Sequence, residues 1–116
     1  MRHRSSKKIL DRNYKQRKAL LGNLATSLVL HEKIKTTEAK AKVLRPKLEK
    51  MISRSKVNSL HNRRVLMKHL MTKGAVDKML EVIGPKYKDR RGGYLRIVKL
   101  GKRKGDGAEM CVAAFV

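Results

Sequence analysis

The apolar residues of this chain change their spacing at Gly84-Pro85, and that change limits the folds open to it. Upstream, Leu20, Leu21, Leu24, Ala25, Leu28 and Val29 recur at i, i+1, i+4, i+5, i+8 and i+9. That is a broad apolar stripe at the helical period. Downstream, Tyr94 to Leu100 and Met110 to Val116 are rich in strand formers and separated by the turn-forming run Gly101 to Gly107. Helices first and paired strands last is the pattern of an α+β domain.

The spacing predicts about four helices packed on a small antiparallel sheet with a C-terminal β-hairpin. The first helix runs from an Asn13 cap to His31-Glu32. Lys33 to Thr36 reads as a short extended piece and an extra strand, since a lone hairpin is marginal in water. Thr36 or Thr37 caps a second helix carrying Val43, Leu44, Leu48, Met51 and Ile52. Pro46 lacks an amide donor and is expected to kink or split it. A third helix follows Asn58-Ser59 and carries Leu60, Val65, Leu66 and Leu70. A fourth follows Gly74, with Ala75, Val76, Met79, Leu80 and Ile83, and is expected to stop at Gly84-Pro85. Residues 86–93 read as a loop. The lone Cys111, inside an apolar run, reads as a small buried hydrophobe. Residues 1–12 form a basic arm, and residues 13–116 a single domain. The opening lacks the apolar core of a signal peptide, and no segment approaches the ~20 apolar residues of a membrane span.

Charge narrows the function. Thirty-one Lys and Arg stand against nine Asp and Glu, a net +22 in 116 residues. A compact domain with that imbalance repels itself, so its natural surroundings are polyanionic. Each nucleic-acid phosphate it neutralises also releases condensed counterions. Only four residues are aromatic, Tyr14, Tyr87, Tyr94 and Phe115. Readers of single strands stack bases on such rings, so the composition favours a grip on folded, double-helical backbone.

The cations thicken in three places. The arm and first helical turn carry Arg2, Arg4, Lys7, Lys8, Arg12, Lys15, Arg17 and Lys18, opposed by Asp11. The middle helices carry a looser set, Lys40, Lys42, Arg45, Lys47, Arg63, Arg64 and Lys68, which reads as a solvated face. The C-terminal part carries Lys86, Lys88, Arg90, Arg91, Arg96, Lys99, Lys102, Arg103 and Lys104. Of these, the arm set with Lys88, Arg90, Arg91, Arg96 and the tip Lys102, Arg103 and Lys104 is the predicted RNA-binding set. Gly92-Gly93 serves either as an ordinary turn or as a place where backbone approaches a partner closely.

Catalytic patterns are missing, and an enzyme is not expected. His61 and His69 lie too far apart for a metal pair, and no second cysteine supports a zinc site. The Gly101, Gly105, Gly107 spacing sits between strands, so it is not a dinucleotide fingerprint. No cofactor is called for. The alternative function is a DNA-binding regulator or nucleoid protein, with helices three and four imitating a helix-turn-helix around Thr72-Lys73-Gly74. Asp77 and Glu81 would then face phosphate, which counts against it.

Several stretches carry a specific likeness: Met1-Arg2-His3-Arg4, Arg17-Lys18-Ala19-Leu20, Asn23 to Leu28, Thr36-Thr37, Ala39 to Lys42 and Leu44-Arg45-Pro46. The longest runs from Tyr87-Lys88-Asp89-Arg90 through Gly92-Gly93-Tyr94 to Gly105-Asp106. In this order, over essentially the whole chain, they resemble the bacterial-type large-subunit ribosomal protein L seventeen family. The resemblance implies an α+β protein that binds large-subunit ribosomal RNA near the peptide exit tunnel, in the cytoplasm. It implies ribosomal proteins L thirty-two and L twenty-two as neighbours. It also places Arg2, His3, Arg4, Lys88, Arg90 and Tyr94 near RNA. Two positions depart from the family pattern: Arg91 stands where members often have proline, and Gly22 where many carry arginine.

Overall fold

A computed structural model describes residue 10 and residues 12–116. The predicted arm residues Arg2, His3, Arg4, Lys7 and Lys8 lie outside the described residues. Helix α1 spans Tyr14–His31 and is capped by Asn13, whose Oδ1 accepts the Gln16 amide at 2.9 Å. It ends at Glu32, which turns left-handed at φ 65° and returns its N–H to the Leu28 carbonyl. Strand β1 is Lys33–Thr37, and helix α2 is Glu38–Ser55. Thr37, not Thr36, caps α2 by accepting the Lys40 amide.

Pro46 does not split α2, which runs unbroken past it. The proline faces solvent, while Leu44, Leu48 and Ile52 on the opposite face are almost fully buried. Burying each such side chain contributes about 1.5–3 kcal/mol. Residues on both sides of the proline are thus held to one core, and together they outweigh an internal proline's cost of ~3 kcal/mol.

Helix α3 is Leu60–Met67, capped by Ser59 through the Asn62 amide at 3.1 Å. Leu70, expected on this helix, is buried in the link that follows it. Helix α4 is Lys73–Lys78 with Thr72 as its cap, so Gly74 lies inside it rather than before it. The expected stop at Gly84-Pro85 is also corrected. The helix widens into a π-turn at Met79–Ile83 and continues through a last turn, Gly84–Lys86. In the π-turn the Gly84 amide donates to Met79, five residues back. A proline ring in a regular α-helix clashes with the carbonyl four residues earlier, and the wider turn relieves that crowding. Gly84 supplies the other condition. A Cβ there would run into the backbone carbonyl of Ser55, so only glycine lets this turn lie against the end of α2.

Strands β2 (Leu95–Lys102) and β3 (Glu109–Phe115) form the expected hairpin, and β1 joins as the third strand. The antiparallel order is β1-β3-β2, with a bulge between Lys99 and Gly101. In register, Ile34, Ala113 and Ile97 form one row, and Thr36, Cys111 and Lys99 the next. These rows share the face toward the helices, where Ala113, Leu95 and Tyr94 join Leu28, Leu48, Met79 and Ile83 in one core. Cys111 is a free, fully buried thiol. On the opposite sheet face the residues alternate outward, with Lys33, Lys35, Arg96 and Val98 exposed.

Candidate nucleic-acid interface

Where α1, α2, α3 and the loop before β2 meet, they leave an open groove of about 1060 Å³. Six cations line it: Arg17, Lys18, Lys47, Lys50, Arg54 and Arg91. Among the described residues its single acid is Glu49. That carboxylate is already engaged, accepting the Tyr94 amide at 3.0 Å on Oε1, with Arg45 Nε at 3.9 Å.

Helix α2 sorts its cations by face. Lys42 pairs with Glu38 at 2.9 Å, and Arg45 lies toward Glu49. Lys47, Lys50 and Arg54 follow one another at i, i+3 and i+7, so they share one face, and that face looks into the groove. Among the described residues, none of the ion pairs involves Lys18, Lys47, Lys50, Arg54 or Arg91. The sequence reading treated Lys47 as part of a solvated helix face and passed over Lys50 and Arg54. Their i, i+3, i+7 spacing with no acid four residues away was the available signal.

Among the described residues, the predicted set is spread over several elements. Lys18 and Arg91 line the groove. Arg17 belongs to its wall but is only 8% exposed, and its guanidinium donates to the Arg12 carbonyl at 3.2 Å while lying 5.9 Å from the Tyr14 ring. Arg17 thus braces the start of α1. Arg12 in turn donates to the Leu10 carbonyl. Lys15, Lys88 and Arg90 are exposed beside these elements, and Arg90 Nε donates to the Gly92 carbonyl at 3.2 Å. Gly92 and Gly93 turn the chain here with φ of 143° and 62°, which favours glycine at both.

Tyr94, near RNA by the family resemblance, is buried here. Its ring is 2% exposed, so it has no face to offer a base. Its hydroxyl donates to the Arg90 carbonyl at 2.9 Å and lies 3.3 Å from Ser53 Oγ. Lys56 donates to that same Arg90 carbonyl and lies 4.9 Å from the Tyr94 ring. The Lys56 ammonium, then Ser53, hold the Tyr94 hydroxyl below its ordinary pKa. Tyr94 therefore clamps the loop that carries Arg90 and Arg91 onto α2. Tyr87 is buried beside it, with ring centroids 5.3 Å apart, which leaves Tyr14 as the aromatic side chain most open to solvent.

Arg96, Lys102, Arg103 and Lys104 belong to the hairpin, away from the groove lining. Lys102 and Lys104 are exposed. Arg103 forks onto Asp106, with contacts of 3.1 and 2.5 Å, and the Ala108 amide donates to the same carboxylate. Arg103, then the Ala108 amide, hold Asp106 well below the usual carboxylate range. Arg103 thus shapes the hairpin tip, and the lysines on either side carry its outward charge.

No group of His, Cys, Asp and Glu fit to hold a metal occurs among the described residues, and none of their helices is long and apolar enough to cross a membrane. Fold and groove together define a small, strongly basic α+β protein with a groove lined mainly by cations among its charged groups. Comparison with known proteins makes this specific. The profile of ribosomal protein L17 matches residues 20–116. The large ribosomal subunit protein bL17 of Gemmatimonas aurantiaca is 53% identical over 95% of this chain and 93% of its own length. Its counterpart from Roseobacter denitrificans is 49% identical over 100% of this chain and 83% of its own. That of Koribacter versatilis is 51% identical over 94% of this chain and 68% of its own. The chain belongs to the ribosomal protein L17 family. Membership makes it a component of the ribosome and not an enzyme.

Proposed function

We propose that this chain is a structural constituent of the large ribosomal subunit, working in the bacterial cytoplasm and holding large-subunit ribosomal RNA along the α1–α2–α3 groove. The observation that carries the reading is the groove's charge: among the described residues, five exposed cations stand against one acid whose oxygen is already committed. Ammonium and guanidinium groups so placed neutralise phosphates and carry no base readout of their own. The burial of Tyr87 and Tyr94 supports a grip on folded backbone over base stacking. The exposed Lys102 and Lys104 add a second contact at the hairpin tip, and the basic arm a third. The family likeness extends the reading to a place near the peptide exit tunnel, beside proteins L thirty-two and L twenty-two.

Replacing Lys47, Lys50 and Arg54 together with alanine tests the groove. All three are exposed, so circular dichroism should match the parent. Each phosphate contact removed should lower the slope of log affinity against log salt by about one, so the triple variant should lose about 2–3. An unchanged slope with deproteinised large-subunit RNA would place this groove in solvent.

A further inference from the structure

One corner of the groove has a feature that general phosphate adhesion does not need. Three segments converge there: α1 brings Lys18, α2 brings Lys47, and the link after α3 brings Lys68 and His69. They rim a small recess of about 60 Å³ whose lining, among the described residues, includes Leu21, Gly22 and Met71 and contains no carboxylate. The imidazole also lines the main groove, with Arg54, Arg17, Lys50 and Arg91 among its cations and Glu49 as its acid.

The backbone around His69 is pinned. The Met71 amide donates to Thr26 Oγ1 at 2.9 Å, and that hydroxyl donates to the Gly22 carbonyl at 2.8 Å. The His69 and Leu70 amides both return to the Leu66 carbonyl, at 3.0 and 2.9 Å. The link lies close on α1: a Cβ on residue 22 would come within 3.2 Å of the His69 carbonyl and displace the end of the Met71 side chain. A histidine is thus held among ammonium groups with no counter-charge in the recess.

We propose that Lys18, Lys47, Lys68 and His69 form a corner that takes one backbone phosphate of RNA, and that His69 binds a proton along with it. This rests on the reading that the groove holds RNA. In the free protein, partial burial and then Lys18, Lys47, Lys68 and Arg54 hold the imidazole below its ordinary pKa, so it is neutral at pH 7. A phosphate set among these groups reverses the sign of the field and favours the imidazolium. Binding then takes up a proton. The grip tightens as pH falls through the bound-state pKa, and levels off below the free-state one.

The test measures affinity of the full chain for deproteinised large-subunit RNA at fixed salt, for wild type and His69→Gln. Between about pH 7.5 and pH 5.5, wild type should gain about three- to tenfold over the variant, with the two nearly equal at the alkaline end. The difference cancels protonation of RNA bases and of the other three histidines. Calorimetry in buffers of different ionisation enthalpy should show more proton uptake by wild type than by His69→Gln. Superimposable pH profiles and equal proton uptake, with salt-sensitive RNA binding intact in both, would overturn the phosphate corner and leave the groove reading standing. Failure of wild type to bind RNA at any pH would overturn both.

Discussion

Raising monovalent salt from about 50 to about 200 mM is expected to weaken binding of this chain to deproteinised large-subunit RNA by about 10³–10⁵-fold. The size follows from counting. The five exposed groove cations, Lys18, Lys47, Lys50, Arg54 and Arg91, the exposed Lys102 and Lys104 and the cations of the basic arm can together meet about 6–10 phosphates, the range for which counterion release gives that loss. With a net charge of +22, little acid competes for those cations within the molecule. The acids that are present are largely tied locally. Glu38 serves Lys42 and Lys99, Asp77 serves Arg63 at 2.5 Å, and Asp106 serves Arg103. Titrating a labelled RNA at several salt concentrations measures the slope. A nearly flat profile would mean that contacts other than phosphate neutralisation hold the complex.

Gly84→Ala should destabilise the domain while Gly74→Ala should not, although both are helical glycine-to-alanine changes of the kind that normally stabilises. At residue 84 the new methyl meets the Ser55 carbonyl, and both atoms belong to backbone, so neither can rotate away. Overpacking of this kind costs about 1–3 kcal/mol, and at roughly 4 °C per kcal/mol it lowers Tm by about 4–12 °C. At residue 74 nothing lies within 4 Å of the built Cβ. The unfolded chain loses freedom there without strain in the folded one, which stabilises by about 0.4–1 kcal/mol. Thermal melts of the two variants therefore move in opposite directions. If Gly84→Ala melts at or above the parent, the close approach of the last helical turn to α2 is wrong.

The parts legible in the sequence are those set by local rules. The α1 stripe, the Asn13 cap, the start of α3 after Asn58-Ser59 and the hairpin each follow from residues a few positions apart, and the structure shows all of them. Even the third strand at Ile34 followed from the weakness of a lone hairpin. The breaks expected at Pro46 and Gly84-Pro85 did not occur, because local cost lost to distant packing. Leu48 and Ile52 anchor the helix beyond Pro46, and Ser55 receives Gly84 from 29 positions away. The surroundings of Tyr94 and Arg17 were hidden for the same reason. Arg17 counted as one more cation of the first helical turn and Tyr94 stood near RNA through the family resemblance, whereas Ser53, Glu49 and the Arg12 carbonyl draw both inward. The tie between Arg103 and Asp106 is different, since an acid three residues on, inside a glycine-rich turn, was visible in the sequence. The groove could not be read that way. Lys47, Lys50 and Arg54 declare one face, but only the fold sets Lys18, His69 and Arg91 opposite them.

The most direct test follows a tagged copy of the chain through a sucrose gradient of separated ribosomal subunits. It should travel with the large subunit at low salt, leave it as salt is raised, and lose its fast sedimentation when the RNA is digested. A chain that stays at the top of the low-salt gradient, or travels with the small subunit, would contradict the account.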